Sequence, residues 1–330
     1  MRTQRNRLSI AVAASLLTLL FSGCWTPLLP NPQIEGSAWH FNSQSFLVLS
    51  NTYEGGTSHS SVTWWGADGR MRNSYDAGYF QIWPQSQPAF YHDSDHILGG
   101  AGYHLVSVNL HNGSYTPLIL GQYFQSALPT GAMALTEDSA SMNGGPYRTF
   151  SVIDLRAATA RTILSYRTTL VGGYSYGGIM LAEDHWGLNL SDSNDSPHFT
   201  LFDTTGTVVF TSPPLTRSAL AALYLPQSMT LVISGYGYVT SFNLASGAIK
   251  NYPTPSQYSL YDLQAPTDGR FFAIAGQGTV KLVNPVTNAE TDIPLQFYQF
   301  RLSPDGTRAA IIKSSQDAGV SPQFISITAP

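Results

Sequence analysis

The feature that most constrains the fold of this chain is an internal repeat of roughly 41–48 residues, which runs from about residue 36 to the last residues of the sequence. Each copy contains a short apolar strand followed by a turn rich in Asp, Asn and Gly. The turn positions are residues 69, 113, 158, 206, 247 and 288, and a seventh copy begins at Gln323. Short apolar runs bounded by turn residues, without sustained helical periodicity, predict an all-β fold built from repeated units.

A second turn and strand precede each of these strands. The clearest copies are Ala265–Ile274 and Leu302–Ile312, which contain Pro-Thr-Asp-Gly and Ser-Pro-Asp-Gly. Pro presets one turn dihedral and Gly tolerates a positive one, so the chain reverses there without strain. These segments resemble the Ser-Pro-Asp-Gly repeats of TolB-like and WD-like β-propellers. The resemblance implies a β-propeller, and the seven copies, at four strands to a unit, predict seven four-stranded antiparallel blades over residues 36–330.

Closure of the ring is the open point of this prediction, because the seventh copy supplies three strands. Residues 26–35 are the candidates for the missing outer strand. Prolines at positions 27, 30 and 32 make this segment a poor strand former, although an outermost edge tolerates proline.

The first residues have the composition of an export signal. Arg2, Arg5 and Arg7 precede an apolar run from Leu8 to Phe21, and Ser22-Gly23-Cys24 follows. The run of about 14 residues is shorter than the roughly 20 that a membrane-spanning helix needs. The pattern therefore predicts a signal peptide over residues 1–23.

Cys24 is the only cysteine of the chain. The segment Leu20-Phe21-Ser22-Gly23-Cys24 resembles the lipobox of bacterial lipoproteins, with Phe21 where that family usually has leucine. The resemblance implies lipidation of Cys24, a lipidated tether over residues 24–35 and anchoring to a membrane. Trp25 rather than Asp follows the cysteine, which by the same resemblance favours the outer membrane of a Gram-negative cell envelope. The alternative is an ordinary signal peptide followed by an incidental thiol.

Charge excludes one class of partner. Loss of residues 1–23 would remove three of the sixteen Lys and Arg residues and none of the twenty acids, which leaves a formal charge near −7. No cluster of Lys and Arg exists, so we expect no nucleic-acid binding, which depends on phosphate neutralisation. A single cysteine also allows no internal disulfide, so packing alone must hold the fold.

Four hairpins are longer than the others, and we expect them to form a binding face with the connections between blades. The predicted long hairpins span residues 51–60, 136–147, 183–197 and 314–321, whereas Gly-x-Gly pairs such as Gly235 and Gly237 indicate tight turns. The sequence places Glu137-Asp138 and Glu183-Asp184-His185 at matching positions of adjacent blades. The candidate binding face consists of Glu54, His59, Glu137, Asp138, Glu183, Asp184, His185, Asp192, Asp195 and His198.

These carboxylates and imidazoles leave two interpretations open. They resemble ligands of a divalent cation, but Asp and Asn also belong at solvated hairpin tips for turn reasons, and this second interpretation is favoured. We therefore assign no metal and no cofactor. Tyrosines such as Tyr174, Tyr176, Tyr236 and Tyr238 offer stacking surface for sugars or partner side chains, although Tyr is also an ordinary strand residue.

The leading functional hypothesis is a lipid-anchored, non-catalytic propeller that binds an envelope protein or a glycan. The rival is a periplasmic or surface enzyme, of hydrolase, lactonase or quinoprotein type, that uses Glu137, Asp138 and Glu183-Asp184-His185. Its weakness is that these acids do not form an isolated pair in distinct environments, which acid–base chemistry requires. A purely structural envelope protein is the third hypothesis.

Overall fold

The computed structural model describes most of the repeat region, in several ranges separated by gaps. They are residues 33–54, 57–78, 89–90, 95–101, 104–128, 130, 132–138, 147–157, 159–167, 178–191, 196–254, 261–276, 278–313 and 321–330. The signal peptide, Cys24 and the tether up to residue 32 lie outside them. None of the helices in these ranges is long and apolar enough to cross a bilayer.

Among the described residues, the strands form seven antiparallel sheets in chain order, six with four strands and a seventh with three. We number them β1–β27. Blades 1 to 3 contain Gln33–Trp39, Ser45–Glu54, Thr57–Gly66 and Met71–Gly78 (β1–β4), Ala89–Phe90, His96–Ala101, His104–Asn109 and Tyr115–Leu120 (β5–β8), and Gln122–Ala127, Met133–Asp138, Tyr147–Asp154 and Thr159–Arg167 (β9–β12). Blades 4 and 5 contain Ile179–Ala182, His185–Ser191, Pro197–Asp203 and Val208–Thr211 (β13–β16), and Ala221–Leu225, Thr230–Gly235, Tyr238–Asn243 and Ile249–Tyr252 (β17–β20). Blades 6 and 7 contain Asp262–Gln264, Phe272–Gly276, Thr279–Val283 and Glu290–Pro294 (β21–β24), and Gln299–Leu302, Arg308–Ile312 and Gln323–Ser326 (β25–β27).

This arrangement confirms the predicted seven-bladed β-propeller. In each blade the strands pair in sequence order, and the first strands of neighbouring blades contact one another, so they surround the central axis. The first strand begins at Gln33, three residues before the predicted boundary at residue 36. It pairs with β2 of blade 1. Residues 33–35 therefore belong to the innermost strand of the first blade, and not to the outer edge of the seventh.

The core is divided into seven apolar seams, one between each pair of neighbouring blades. Strand residues alternate between the two seams that flank their blade, because successive side chains point to opposite faces of a sheet. In blade 7, for example, Ala309 and Ile311 contact blade 6, whereas Ala310 and Ile312 contact blade 1. Both faces of the inner strands are therefore buried.

The repeated Asp, Asn and Gly positions are turns between the third and fourth strands. Asn284 Oδ1 accepts the backbone N–H groups of Val286 at 2.9 Å and Thr287 at 3.0 Å, and Asp203 Oδ1 accepts those of Thr205 and Thr207. Side chains of Asp and Asn stabilise turns in this way. The residue that ends the turn has a positive φ, as in Gly206 at 85°, which glycine adopts without steric cost.

An aromatic seam joins blade 1 to blade 7 and closes the ring. The Trp39 ring lies 5.3 Å from the rings of both Phe46 and Phe324, and Phe46 and Phe324 are 5.9 Å apart. Trp39 and Phe46 belong to blade 1, whereas Phe324 belongs to blade 7. The indole N–H of Trp39 also donates to the carbonyl oxygen of Arg301 at 2.8 Å. Side-chain packing and this hydrogen bond thus connect the first blade to the last.

A polar network supports the same junction near the axis. The Arg301 guanidinium pairs with the Asp262 carboxylate, and Nε of Arg301 donates to the carbonyl oxygen of Ser37 at 3.0 Å. Gln264 donates to Asp262 at 2.8 Å and to the carbonyl oxygen of Phe300 at 2.6 Å. The network therefore links the innermost strands of blades 6, 7 and 1.

An ion-pair network joins the outer strands of blades 5 and 6. The Glu290 carboxylate contacts Lys250 Nζ and Lys281 Nζ, each at 2.9 Å, and Lys281 also contacts Asp292 at 2.9 Å. Hydrogen bonds from Lys250 and then Lys281 hold the pKa of Glu290 below its usual value. Lys250 and Lys281 are two of the three lysines in the chain.

We predict that replacement of Trp39 will weaken the whole fold. Trp39→Ala should lower the free energy of unfolding by about 3–5 kcal/mol, because it leaves a cavity in the seam. Trp39→Phe keeps a ring but leaves the Arg301 carbonyl without its donor, at a cost of about 1–3 kcal/mol. Urea unfolding followed by fluorescence measures both values. A loss below about 1 kcal/mol for Trp39→Ala would contradict a closing role for the seam.

Glu290→Gln should destabilise the protein by about 0.5–1 kcal/mol at pH 7, discounted for solvent screening of a partly exposed network. The lowered pKa means that the folded state favours the charged carboxylate. Its contribution is fully present above the usual pKa of 4.5 and is lost as the pH falls through the lowered value. The difference between wild type and variant in thermal melting should therefore shrink in acid. Glu183→Gln, at an exposed turn outside this network, removes the same charge and should change the stability at pH 7 by less than about 0.5 kcal/mol.

Candidate functional site

The propeller has two ends, and we name them by their connections. The hairpin face carries the connections between second and third strands and those between blades. The turn face carries the connections between first and second strands and between third and fourth strands. Successive antiparallel strands reverse direction, so these two sets of connections lie at opposite ends of every blade.

Five of the predicted binding residues with described positions lie near the hairpin face. Glu54 ends β2 and His59 lies in β3. The structure describes the backbone of these two residues and not their side chains. Glu137 and Asp138 end β10, and His198 lies near the start of β15. Asp192 and Asp195 fall outside the described residues. In blade 1 the predicted loop over residues 51–60 is largely strand, because β2 and β3 pair as far as Glu54 and Thr57.

Two of these side chains are engaged in the protein interior. Glu137 is 0% exposed, and its carboxylate accepts a hydrogen bond from Gln125 Nε2 at 3.2 Å. Asp138 is half-buried. His198 is also half-buried, and its Nδ1 donates to the carbonyl oxygen of Ser212 at 2.8 Å. Glu137 and His198 therefore contribute to local structure and differ from solvated hairpin tips.

The predicted position of Glu183, Asp184 and His185 is wrong. Glu183 and Asp184 form a tight turn between the first and second strands of blade 4, and His185 begins the second strand. They therefore lie on the turn face, whereas Glu137 and Asp138 lie at the hairpin face. The residues that were predicted to be the long hairpin of blade 4 include the strand His185–Ser191. Its apolar alternation, with Trp186 and Leu188 both buried, forms part of the core.

This difference separates the residues of the rival enzyme hypothesis. Glu137 and Asp138 cannot act on the same bond as Glu183, Asp184 and His185, because the two groups lie at opposite ends of their blades. A single acid–base site needs groups within hydrogen-bond reach of the same reacting atoms. The proposed catalytic constellation is therefore not assembled by the fold.

The turn face of blades 3, 4 and 5 has a polar cluster of its own. His185 Nδ1 lies 2.6 Å from Asp184 Oδ1, and the His185 ring lies 4.7 Å from the ring of Tyr224. Arg161 donates to the carbonyl oxygen of Thr204, whose N–H donates to the Asp184 carbonyl at 3.0 Å. The cluster joins the three blades through their turns.

Two groups in this cluster titrate outside their ordinary ranges. Burial, and then the negative charge of Asp184, raises the pKa of the Tyr224 hydroxyl. The hydrogen bond from the Thr205 hydroxyl is the largest of the effects that lower the pKa of Asp203, and His185 adds a smaller contribution. Asp203 is thus held as a carboxylate, which suits its role as acceptor in the turn.

A metal site and a serine nucleophile are two further chemical possibilities for this chain. In the ranges that the structure describes, no three His, Cys, Asp or Glu side chains come together as a metal site would require. The pattern Gly-x-Ser-x-Gly occurs at residues 173–177, which lie outside those ranges. It falls between β12 and β13, whereas a nucleophile elbow connects a strand to a helix.

Several polar residues that link neighbouring blades could not be recognised from the sequence around them. Arg301, Asp262 and Gln264 meet only because the innermost strands of blades 6 and 7 are neighbours. Arg72 and Arg308 line a common groove only because blades 1 and 7 meet. Asp203 occupies the repeated turn position, so the repeat indicates its role in the turn. The repeat does not indicate that Asp203 lies close to His185.

Comparison with known proteins identifies the fold alone. No family model matches the chain, and no curated protein matches its sequence. The β-propeller domain of Cps50 (Swd1) from Myceliophteria thermophila is similar in structure, with a TM-score of 0.57, 9% identity, and coverage of 91% of this chain and 97% of that chain. Oligogalacturonate lyase from Vibrio parahaemolyticus has a TM-score of 0.54, 9% identity and 90% coverage of both chains. The chain thus has a β-propeller fold.

Removal of the Asp203 carboxylate should destabilise the turn of blade 4. Asp203→Ala loses the hydrogen bonds from Thr205 and Thr207, and we expect a loss of about 1–2 kcal/mol. Asp203→Asn keeps an acceptor oxygen and should lose less than half of that. Because the pKa of Asp203 is lowered, the advantage of wild type over Asp203→Asn should disappear as the pH falls below 3.8. Equal losses for both variants at pH 7 in thermal melting would contradict this role.

Proposed function

We propose that this protein is a lipid-anchored cell-envelope lipoprotein whose β-propeller is a binding scaffold for a protein or glycan partner. Cys24 would carry the lipid, and the outer membrane of a Gram-negative cell is the proposed location. The observation that carries the proposal is the short distance in sequence between Cys24 and β1, which begins at Gln33.

The start of β1 gives the proposal a geometry. Gln33 pairs with Asn51 near the far end of β2, so β1 begins on the hairpin face. It is also an innermost strand, so it begins beside the axis. Residues 25–32 span at most about 30 Å when fully extended. A lipid on Cys24 would therefore keep the centre of the hairpin face within about 30 Å of the bilayer surface.

A scaffold role agrees with the closure of the propeller ring. The ring is closed by side-chain packing of Trp39, Phe46 and Phe324 and by the Arg301 network, so the loops at both ends extend from a rigid frame. Binding residues are often found on loops that such a frame positions. Because the acids of the rival hypothesis lie at opposite ends of the blades, binding is favoured over catalysis at those residues.

Cys24→Ala tests the anchor directly. The variant lacks the residue that would carry the acyl chains, so it should lose metabolic labelling with radioactive palmitate. It should also move from the membrane pellet to the soluble fraction, because stable anchoring needs several acyl chains. Thr26→Ala, two residues away, is the matched control and should stay in the pellet with its label. A wild-type protein that takes up no palmitate label, or a Cys24→Ala variant that keeps its label, would reject the lipoprotein and leave the propeller scaffold to be tested separately.

A further inference from the structure

In the part of the chain that the structure describes, the outer edge of the seventh blade is open. Its third strand, Gln323–Ser326, pairs with β26 on one side, and within the described residues it has no partner on the other. Each of the other six blades has a fourth strand at this position. An exposed edge of this kind presents unpaired backbone groups that can accept another strand.

The ladder shows which backbone groups face outward. The N–H of Ile327 donates to the carbonyl oxygen of Thr307 at 2.8 Å, so Ile327 faces β26. In an antiparallel pair the bonding direction alternates along the strand. Ile325 therefore also bonds to β26, and the N–H and C=O groups of Phe324 and Ser326 point away from it.

These groups open into a groove between blades 7 and 1. The groove has a volume of about 490 Å³, and it lies at the turn-face end of the two blades. The side chains that line it include Phe324, Ser326, Arg308, Arg72 and Asp68. The apolar wall comes from β27. The charged wall comes from Arg308 in β26, from Asp68 in the last turn of blade 1 and from Arg72 in β4.

The charge of the groove is opposite to that of the chain, whose formal net charge is −4. Arg72 pairs with Asp68 at 2.8 Å, while Arg308 contacts the carbonyl oxygen of Ala67 at 3.4 Å. Asp305 is also within electrostatic range of Arg308, but one of its carboxylate oxygens accepts hydrogen bonds from Ser303 and Thr307 in its own turn. The groove therefore presents two guanidinium groups to a single lining carboxylate.

We propose that the edge of β27 binds an extended, acidic segment of a partner protein, which adds the fourth strand of blade 7. Backbone hydrogen bonds to Phe324 and Ser326 would supply affinity, and carboxylates beside Arg72 and Arg308 would supply specificity. This goes beyond the proposed function, since it does not depend on the lipid. Residues 25–32 of the chain are less suitable occupants, because they contain three prolines and no acid.

The test uses the full-length protein in detergent and a fluorescent peptide of about eight residues, alternating Glu and Val, which spans about 26 Å. Fluorescence anisotropy should show saturable binding. A matched peptide that alternates Lys and Val should bind at least about tenfold more weakly, since it places cations beside the arginines. In hydrogen exchange, the amides of Phe324 and Ser326 should become protected when the acidic peptide is bound.

Three variants locate the site. Arg308→Gln and Arg72→Gln should each weaken peptide binding about tenfold, through loss of a charge-assisted hydrogen bond. Arg217→Gln removes an exposed cation from the connection between blades 4 and 5, and it should leave binding unchanged. Ser326→Pro removes an outward N–H and no hydrogen bond to β26, so binding should fall about tenfold while the melting temperature is unchanged.

Several results would overturn the proposal. Equal binding of the acidic and basic peptides, or full binding by Arg308→Gln and Ser326→Pro, would place the peptide elsewhere. Amides of Phe324 and Ser326 that are already protected in the free protein would show that the edge is occupied. If binding appears only after residues 25–32 are replaced by Gly and Ser, the occupant is that segment of the chain. None of these outcomes bears on the membrane fractionation of Cys24→Ala.

Discussion

The junction between blades 1 and 7 is the interaction on which the rest of the structure depends. Every other pair of neighbouring blades is joined by a chain connection as well as by an apolar seam, whereas these two blades are the first and last of the described chain. Their contact therefore rests on the apolar seam that contains Trp39, Phe46 and Phe324, and on Arg301 with its partners. A propeller with an open seam would expose two apolar blade faces to water, so closure and burial of the core are the same event.

The repeat was sufficient to predict the number of blades, because its turns have a local physical cause. An Asp or Asn acceptor and a residue with positive φ recur at fixed positions, and both can be recognised in a sequence. The face on which a turn lies has no such local cause. Glu183-Asp184 was assigned to the wrong end of blade 4 because a polar pair between apolar strands has the same appearance in either kind of connection. The burial of Trp186 and Leu188 decides the matter, and this burial depends on packing against blade 3.

The polar networks could not be predicted for a related reason. Their members are far apart in sequence and meet only through the order of the blades, as Ser37 and Arg301 do across 264 positions. Glu137 differs from its prediction in burial. The sequence predicts this acid on the surface, at the end of a strand, whereas its side chain is 0% exposed. A buried carboxylate needs hydrogen-bond donors, and Gln125 is one of them. Such donors cannot be identified before the first two strands of the blade are paired.

The start of β1 and the edge of β27 divide the molecule into two functional regions. β1 begins beside the axis on the hairpin face, whereas the groove along β27 opens at the outer rim near the turn face. A short tether at the first position would leave the second directed away from the lipid, where an extended segment could approach without contact with the bilayer. The seventh blade, which has three strands among the described residues, and the first blade, which would carry the proposed tether, are neighbours in the ring. The junction that closes the fold therefore also separates the proposed attachment point from the outer edge of β27.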